Sequence, residues 1–223
     1  MLGPCCTQGG EEVSRYSIIC AVNKPKVFEE NLFMSPGIFA HELIVQTKYR
    51  NICKAYNDAI KSSTCDILIF VHQDVYLPRL FFDQLKKSLE KIAKTNWGII
   101  GPAGRNCSGE MKGNILDRAH LWGAPFNLPA PVQTLDELCL IVKRSTLEKI
   151  TFDEKITNQH LFGTDICLQA ENQGLENFAI HAFCSHNSTQ DYQLPKEFKD
   201  TVSYIKTKWR AKLPIYSTCQ III

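Results

Sequence analysis

Apolar residues fall along this chain in two rhythms, short unbroken runs and stripes at helical spacing. Residues 17–22 form the first run, and Ile67–Val71 the clearest, five branched or aromatic side chains in a row. Runs of this kind read as strands buried on both faces. Residues 42–45 make a shorter second strand. Between the runs, Ile52, Ala55, Tyr56, Ala59 and Ile60 recur at helical spacing within 48–62. Phe81, Phe82, Leu85, Leu89 and Ile92 do the same after Pro78, which suits a first helical turn. Residues 97–101 are another short strand. The succession β, β-α-β, α-β predicts an α/β sheet with helices on its faces.

Beyond this the rhythm weakens. Residues 102–131 are rich in Gly, Pro and Asn and read as a long loop or hairpin region of the kind that carries substrate contacts. A strand at 135–143 follows, then capping-box spacing at 145–148, a helix over 161–172 closed by Gln173-Gly174, and a last strand at 178–183. A terminal amphipathic helix is expected over about 195–209. The apolar tail, 214–223, is expected to dock on the core or on a partner. We divide the chain into a loose amino terminus, 1–15, and one domain, 16–223. Within the domain lie a half at 16–101, a half at 102–190, and a terminal helix and tail at 191–223.

Chemistry concentrates where the third strand ends, at His72-Gln73-Asp74. Open α/β sheets place ligands at the carboxyl edge of their strands. Side chains alternate along a strand, so His72 and Asp74 can point the same way as an imidazole and a carboxylate. The same tripeptide also suits a strand that merely ends in polar loop residues.

Composition narrows the partners. A formal net charge of +2 gives no case for nucleic acid. The basic cluster at 206–212 reads as a solvated helix face. Ten cysteines include no Cys-x-x-Cys pair, and Cys20, Cys139 and Cys167 sit in apolar stretches, where a free thiol behaves as a small hydrophobe. The start lacks the layout of a secretory signal, and no apolar run nears the roughly 20 residues that span a bilayer. A reduced, cytoplasmic setting is expected, with contact at the inner face of the membrane and oligomeric state left open.

Taken in order, several segments resemble the inverting glycosyltransferases of family 2, particularly a compact bacterial branch. The resemblance covers roughly residues 16–190. The strand at 16–23 is similar to the family's opening nucleotide-side strand. Residues 53–60 followed by 66–74 look like the helix and strand leading to its DxD motif. Residues 135–144 with Phe152-Asp153-Glu154 are similar to the acceptor-side strand and its trailing FDE. Gly163-Thr-Asp-Ile-Cys-Leu-Gln-Ala170 with Gly174 resembles the EDxDLCLR…G helix, and His186 matches a late histidine.

The resemblance implies a GT-A-type nucleotide-diphospho-sugar transferase fold, with a mostly parallel mixed sheet flanked by helices. It also implies a nucleoside-diphosphate sugar donor, a UDP-sugar first among them, held through Mn²⁺ or Mg²⁺, and a glycan or lipid-linked acceptor. Asp74 carries over as metal ligand. His72 replaces the first carboxylate of DxD, to bind metal, bond a phosphate or ribose, or cap the strand. His186 would complete the shell. Ala21, Val22, Asn23, Asn57 and Gln73 are the implied nucleotide contacts.

The general base is the main departure, because Phe162-Gly163 occupy the two positions of ED. Asp165 falls on the following Asp and could serve by a shift in register. Asp136 or Glu137 could serve from the neighbouring strand, or the chain could be a non-catalytic binding module. His160 is a weaker candidate. Trp122 could stack on an acceptor sugar or pack in its loop, and Arg105 and Arg118 could pair with phosphates or face solvent. A nucleotidyltransferase of similar fold is a further alternative, opposed by the lack of a Gly-rich basic loop after the first strand.

Overall fold

The computed structural model describes residues 15–123, 128–188 and 194–223. The expected loose segment at 1–15 lies almost wholly outside the described residues. Strands β1 (Ser17–Val22), β2 (Glu42–Thr47) and β3 (Ile67–Val71) form one side of a seven-stranded sheet. β1 pairs in parallel with both β2 and β3. Beyond β3 the order continues with Cys139–Lys143, Trp97–Gly101, Glu176–Ala179 and Ala130–Val132. Cys139–Lys143 runs antiparallel to β3 and to Trp97–Gly101, so the sheet is mixed as expected.

The helices are α1 (Pro25–Glu30), α2 (Ile52–Ser62), α3 (Phe81–Ile92), α4 (Arg144–Leu147), α5 (Phe162–Asn172) and α6 (Phe198–Lys208). Strand alternation divides the core between the two faces of the sheet. Ile18, Cys20, Ile69 and Val71 pack with the buried stripe of α3. Ile19, Leu68 and Phe70 face the other way, with α2, α5 and α6. There Tyr56, Phe70, Phe152 and Phe162 interlock, with ring centroids 4.7–6.0 Å apart. Burying each such ring contributes about 1.5–3 kcal/mol.

Among the described residues, the region 102–131, expected as loop or hairpin, holds four short strands and the start of a fifth, Ala130–Val132. Runs of three residues are too short to show alternation, which is why the pattern fades there. Ile115–Asp117 and His120–Trp122 join Val75–Tyr76 and Cys184–His186 in a separate four-stranded sheet. The expected last strand at 178–183 is cut short, because the central-sheet strand ends at Ala179. The chain bends through residues 180–183 and enters the smaller sheet at Cys184. Ile180 and Ala182 are fully buried through the bend, so the apolar run continues although the strand does not.

The tail docks on this chain. Ile215–Tyr216 and Ile221–Ile222 form a hairpin with Ile215 and Ile222 buried. Gln133 clips it, accepting the Tyr216 N–H at 2.8 Å and donating to the Pro214 carbonyl at 3.2 Å. Among the described residues no helix is long and apolar enough to cross a membrane.

Candidate active site

Where β3 ends, the His72 N–H donates to the Leu138 carbonyl at 3.0 Å, which ties the strand's edge to the turn at 136–138. Three residues on, Val75–Tyr76 pairs with Cys184–His186, and the register sets His186 opposite Val75. Two sheets thus converge on one point. One ligand atom from each of His72, Asp74 and His186 lies within 4.8 Å of the others. His186 Nε2 is 3.5 Å from Asp74 Oδ1, and its Nδ1 is 3.2 Å from Asp117 Oδ1.

Electrostatics follow from that packing. Burial pushes His72 down to about 4, against the pull of Asp74, so its ring is neutral at physiological pH. Among the described residues its buried Nε2 has no hydrogen-bond partner. Burial alone would raise Asp74, but the His186 hydrogen bond and the nearby imidazoles hold it at about 2. Burial opposes charge on His186 too, yet the bond to Asp74 and the surrounding carboxylates raise its pKa.

These residues fit a divalent cation. A neutral imidazole with an orphaned ring nitrogen, an ionised carboxylate and a second imidazole form a mixed N/O donor set that suits Mn²⁺. Asp117 Oδ1 faces the far nitrogen of His186 at 3.2 Å, where a carboxylate orients many metal-bound histidines.

His72 and Asp74 also line a cleft of about 390 Å³. The same cleft takes in Ala21, Val22, Asn23 and Gln73, so four of the five nucleotide contacts implied by the resemblance meet there. Gln73 Oε1 accepts the N–H groups of Asn23 at 3.1 Å and Lys24 at 2.9 Å, fastening the turn after β1. Gln46 near the end of β2, Tyr49 and Arg50 just after it, and Thr157–His160 add to the walls. Sequence reasoning missed Tyr49 and Arg50, whose one signal is their position past the carboxyl end of a parallel strand.

Asn57 is not in the cleft. Its amide donates to the Phe152 carbonyl at 2.9 Å and its Oδ1 accepts the Phe152 N–H at 3.2 Å, bracing the FDE segment against α2. Arg105 folds onto its own hairpin, with Nη1 2.6 Å from the Gly109 carbonyl. Arg118 Nε donates to the Ser188 carbonyl at 3.1 Å. Neither arginine lines the cleft.

The candidate bases separate sharply. Asp165 is 1% exposed. It accepts from Trp209 Nε1 at 2.7 Å and Gln169 Nε2 at 2.7 Å, and pairs with Lys208 Nζ at 2.8 Å. Lys208 also meets Asp153 at 2.6 Å. The contacts with Lys208 and Trp209 anchor α6 and the segment after it, the Gln169 bond lies within α5, and Asp165 is absent from the cleft lining.

Asp136 is half-buried, and its Oδ1 accepts the Leu138 N–H at 3.1 Å, on the turn that holds His72. Its charge acts on His72, His160 and His186 alike. Glu137 is 4% exposed, and its carboxyl accepts the N–H groups of Leu161 and Thr164. It thereby caps α5, whose own N-cap residue, Leu161 at φ +68°, makes no side-chain cap. A Cβ on Gly163 would stand 2.9 Å from Glu137 Cγ, so glycine at this helix position makes room for the strand's carboxyl. Burial first, then the charge of Asp136, push Glu137 up to about 8. Phe162, at the other departing position, belongs to the aromatic core and lies 6.1 Å from the His72 ring. His160 lines the cleft, with Nδ1 3.8 Å from Cys219 Sγ of the tail.

Comparison with known proteins extends the geometry. Staphylococcus aureus TarS (residues 1–349, with UDP-GlcNAc) superposes with a TM-score of 0.56 at 15% identity, covering 87% of this chain and 66% of that one. The Pyrobaculum calidifontis mannosyltransferase PcManGT, with GDP-Man and Mn²⁺, gives 0.52 at 14% identity, covering 88% and 62%. At such identities the likeness is one of fold, the GT-A-type nucleotide-diphospho-sugar transferase fold. A Fuscovulum blasticum protein described as ATP synthase subunits region ORF 6 is 30% identical over 127 residues, 53% of this chain and 50% of that relative. The match therefore spans about half the length of that curated relative. Residues 17–207 match the family described as "Glycosyltransferase like family". With most of the sheet, the cleft and the His72–Asp74–His186 cluster inside that match, the chain belongs to the glycosyltransferase-like family.

Proposed function

We propose that this protein transfers a hexose from a nucleoside-diphosphate sugar to a glycan or lipid-linked acceptor, with inversion and with a divalent cation. One observation carries the reading: an imidazole–carboxylate–imidazole cluster, two of whose members open onto the cleft at the strand edge. Asp74, His186 and His72 would hold the cation. When bound, Mn²⁺ or Mg²⁺ supplies Lewis acidity to the departing diphosphate.

The remaining work falls to the chain itself. Ala21–Asn23, steadied by Gln73, with Tyr49 and Arg50 opposite, would receive the nucleoside. Asp136 takes the proton of the acceptor hydroxyl as that oxygen attacks the anomeric carbon. A half-buried carboxylate on the turn that holds His72, though outside the cleft lining, suits this role better than Asp165, which is committed to Lys208 and Trp209. Donors of this class fit the fold, since TarS is found with UDP-GlcNAc and PcManGT with GDP-Man and Mn²⁺. A UDP-sugar is our first choice of donor, and cytoplasmic assembly of surface polysaccharide the setting.

A second reading has a specific observation behind it. Phe162-Gly163 leave α5 without an acidic pair, as in a module that binds sugar nucleotides without turnover. The test is a melting-temperature panel of UDP, GDP, dTDP, CDP and ADP, each with and without Mn²⁺. About 100 Kd of a ligand specific for the native state adds ~2.7 kcal/mol. A Mn²⁺-dependent rise with one base, lost in Asp74→Ala, together with sugar transfer lost in Asp136→Asn, is the expected result. Tight nucleotide binding with no turnover would establish the binding module, and no shift with any nucleotide would defeat both readings.

A further inference from the structure

The four-stranded sheet does more than deliver His186. Direct partners across a strand pair share a face, as do residues two apart on one strand. The register pairs His186 with Asp117 and Asp117 with His120, and pairs Cys184 with Ile115 and Ile115 with Trp122. His186, Asp117, His120 and Trp122 therefore share one face, the face on which His186 meets Asp117. Leu121 points to the other. Trp122 lies on the outermost strand of this sheet and is 42% exposed. Its backbone is held firmly: Gly123, at φ +87°, packs so closely that a Cβ would lie 2.4 Å from the Gly113 carbonyl oxygen.

Resting on the transferase reading above, we propose that His120–Trp122 forms an acceptor subsite in which the Trp122 indole stacks on a pyranose ring of a glycan. The indole face is electronegative and attracts the electropositive C–H face of a sugar. His120, exposed and directly across from Asp117, offers a ring nitrogen to hydroxyls of the same chain. Strand spacing and rise put Trp122 about 12 Å from His186, two strands across and two residues along. That separation is too long for the ring that receives the hexose and suits one further along the acceptor. The subsite therefore selects oligosaccharides over single sugars.

The experiment labels the full chain with 5-fluorotryptophan and follows it by ¹⁹F NMR. The signal of Trp122 is assigned, against Trp97 and Trp209, by its disappearance in Trp122→Phe. Probes are methyl glucoside, lactose, cellobiose, chitobiose and maltotriose. The expected result is a saturable shift of the Trp122 signal by at least one oligosaccharide, larger than that from methyl glucoside. Where that oligosaccharide accepts the hexose, Trp122→Ala raises its KM about three- to tenfold at unchanged kcat.

No movement of the Trp122 signal with any probe, in protein that still shows a Mn²⁺-dependent nucleotide shift, overturns the subsite and leaves the transferase reading standing. Movement without nucleotide binding upholds a glycan site and removes its role in transfer. Silence to both sugars and nucleotides ends both proposals.

Discussion

Replacing Asp165 tests whether an acid at this helix end is an anchor or a catalyst. Asp165→Ala leaves the Trp209 indole N–H and Gln169 amide without their acceptor and takes from Lys208 one of its two carboxylates. Removing one partner of a buried ion pair costs about 3–5 kcal/mol. Asp153 still holds Lys208, so the lower end of that range applies, about 3 kcal/mol. For a chain of this size each kcal/mol moves the melting temperature by about 2–4 °C, so the expected drop is near 10 °C. Asp165→Asn keeps the shape and one acceptor, and should lose roughly half as much. Calorimetry gives the stability, and donor turnover by folded protein at 20 °C gives the chemistry. Both variants should retain most of their turnover below the transition. If Asp165→Asn melts like the parent yet transfers no sugar, the anchor assignment is wrong and Asp165 is the base.

Other consequences are as concrete. Asp117→Asn should weaken Mn²⁺ binding by about 10- to 100-fold, read by electron paramagnetic resonance titration, because His186 loses the carboxylate that orients it; unchanged affinity would remove Asp117 from the site. Glu137 is raised from 4.5 to about 8, so the native state keeps a proton the unfolded chain has lost. Its contribution is full below about pH 4.5 and fades as pH rises to about 8, by up to roughly 5 kcal/mol. Urea melts at pH 5.5, 7 and 8.5 should show this decline flattened in Glu137→Gln, and an equal slope in the two proteins would contradict it. Gly163→Ala should cost about 1–3 kcal/mol through its clash with Glu137 Cγ, and in Glu137→Ala most of that cost should vanish. Additive losses in the double-mutant cycle would show that the two residues do not press on each other.

Much of the central sheet was legible because its strands are buried on both faces and its helices carry long apolar stripes. Ile67–Val71 and the stripe of α3 needed no tertiary knowledge. The junction of the two sheets was not legible. Nothing in the apolar run at 178–183 marks the bend after Ala179, since both halves are buried. His72, Asp74 and His186 could be grouped only by resemblance, because the register that brings them together is a tertiary fact. The surroundings of Asp165 were hidden for a similar reason. Its partners, Lys208 and Trp209, lie some 40 residues away on a helix whose docking no local pattern reveals. Resemblance implied Asn57 as a nucleotide contact, whereas its amide grips the backbone at Phe152.

The convergence of two sheets on one cluster also bears on how the molecule breathes. His72 and Asp74 follow β3, whereas His186 arrives from the far half of the chain on a strand only three residues long. A ligand gripping all three would act as a cross-link closing a very long loop, and the constraint from such a link grows with the length it closes. The short strands of the smaller sheet, otherwise among the first elements to open, would then exchange their amide protons in step with occupancy of the cluster. Substrate readiness and local unfolding would be two readings of one equilibrium, and the slowing of exchange at Cys184–His186 on addition of Mn²⁺ would measure it.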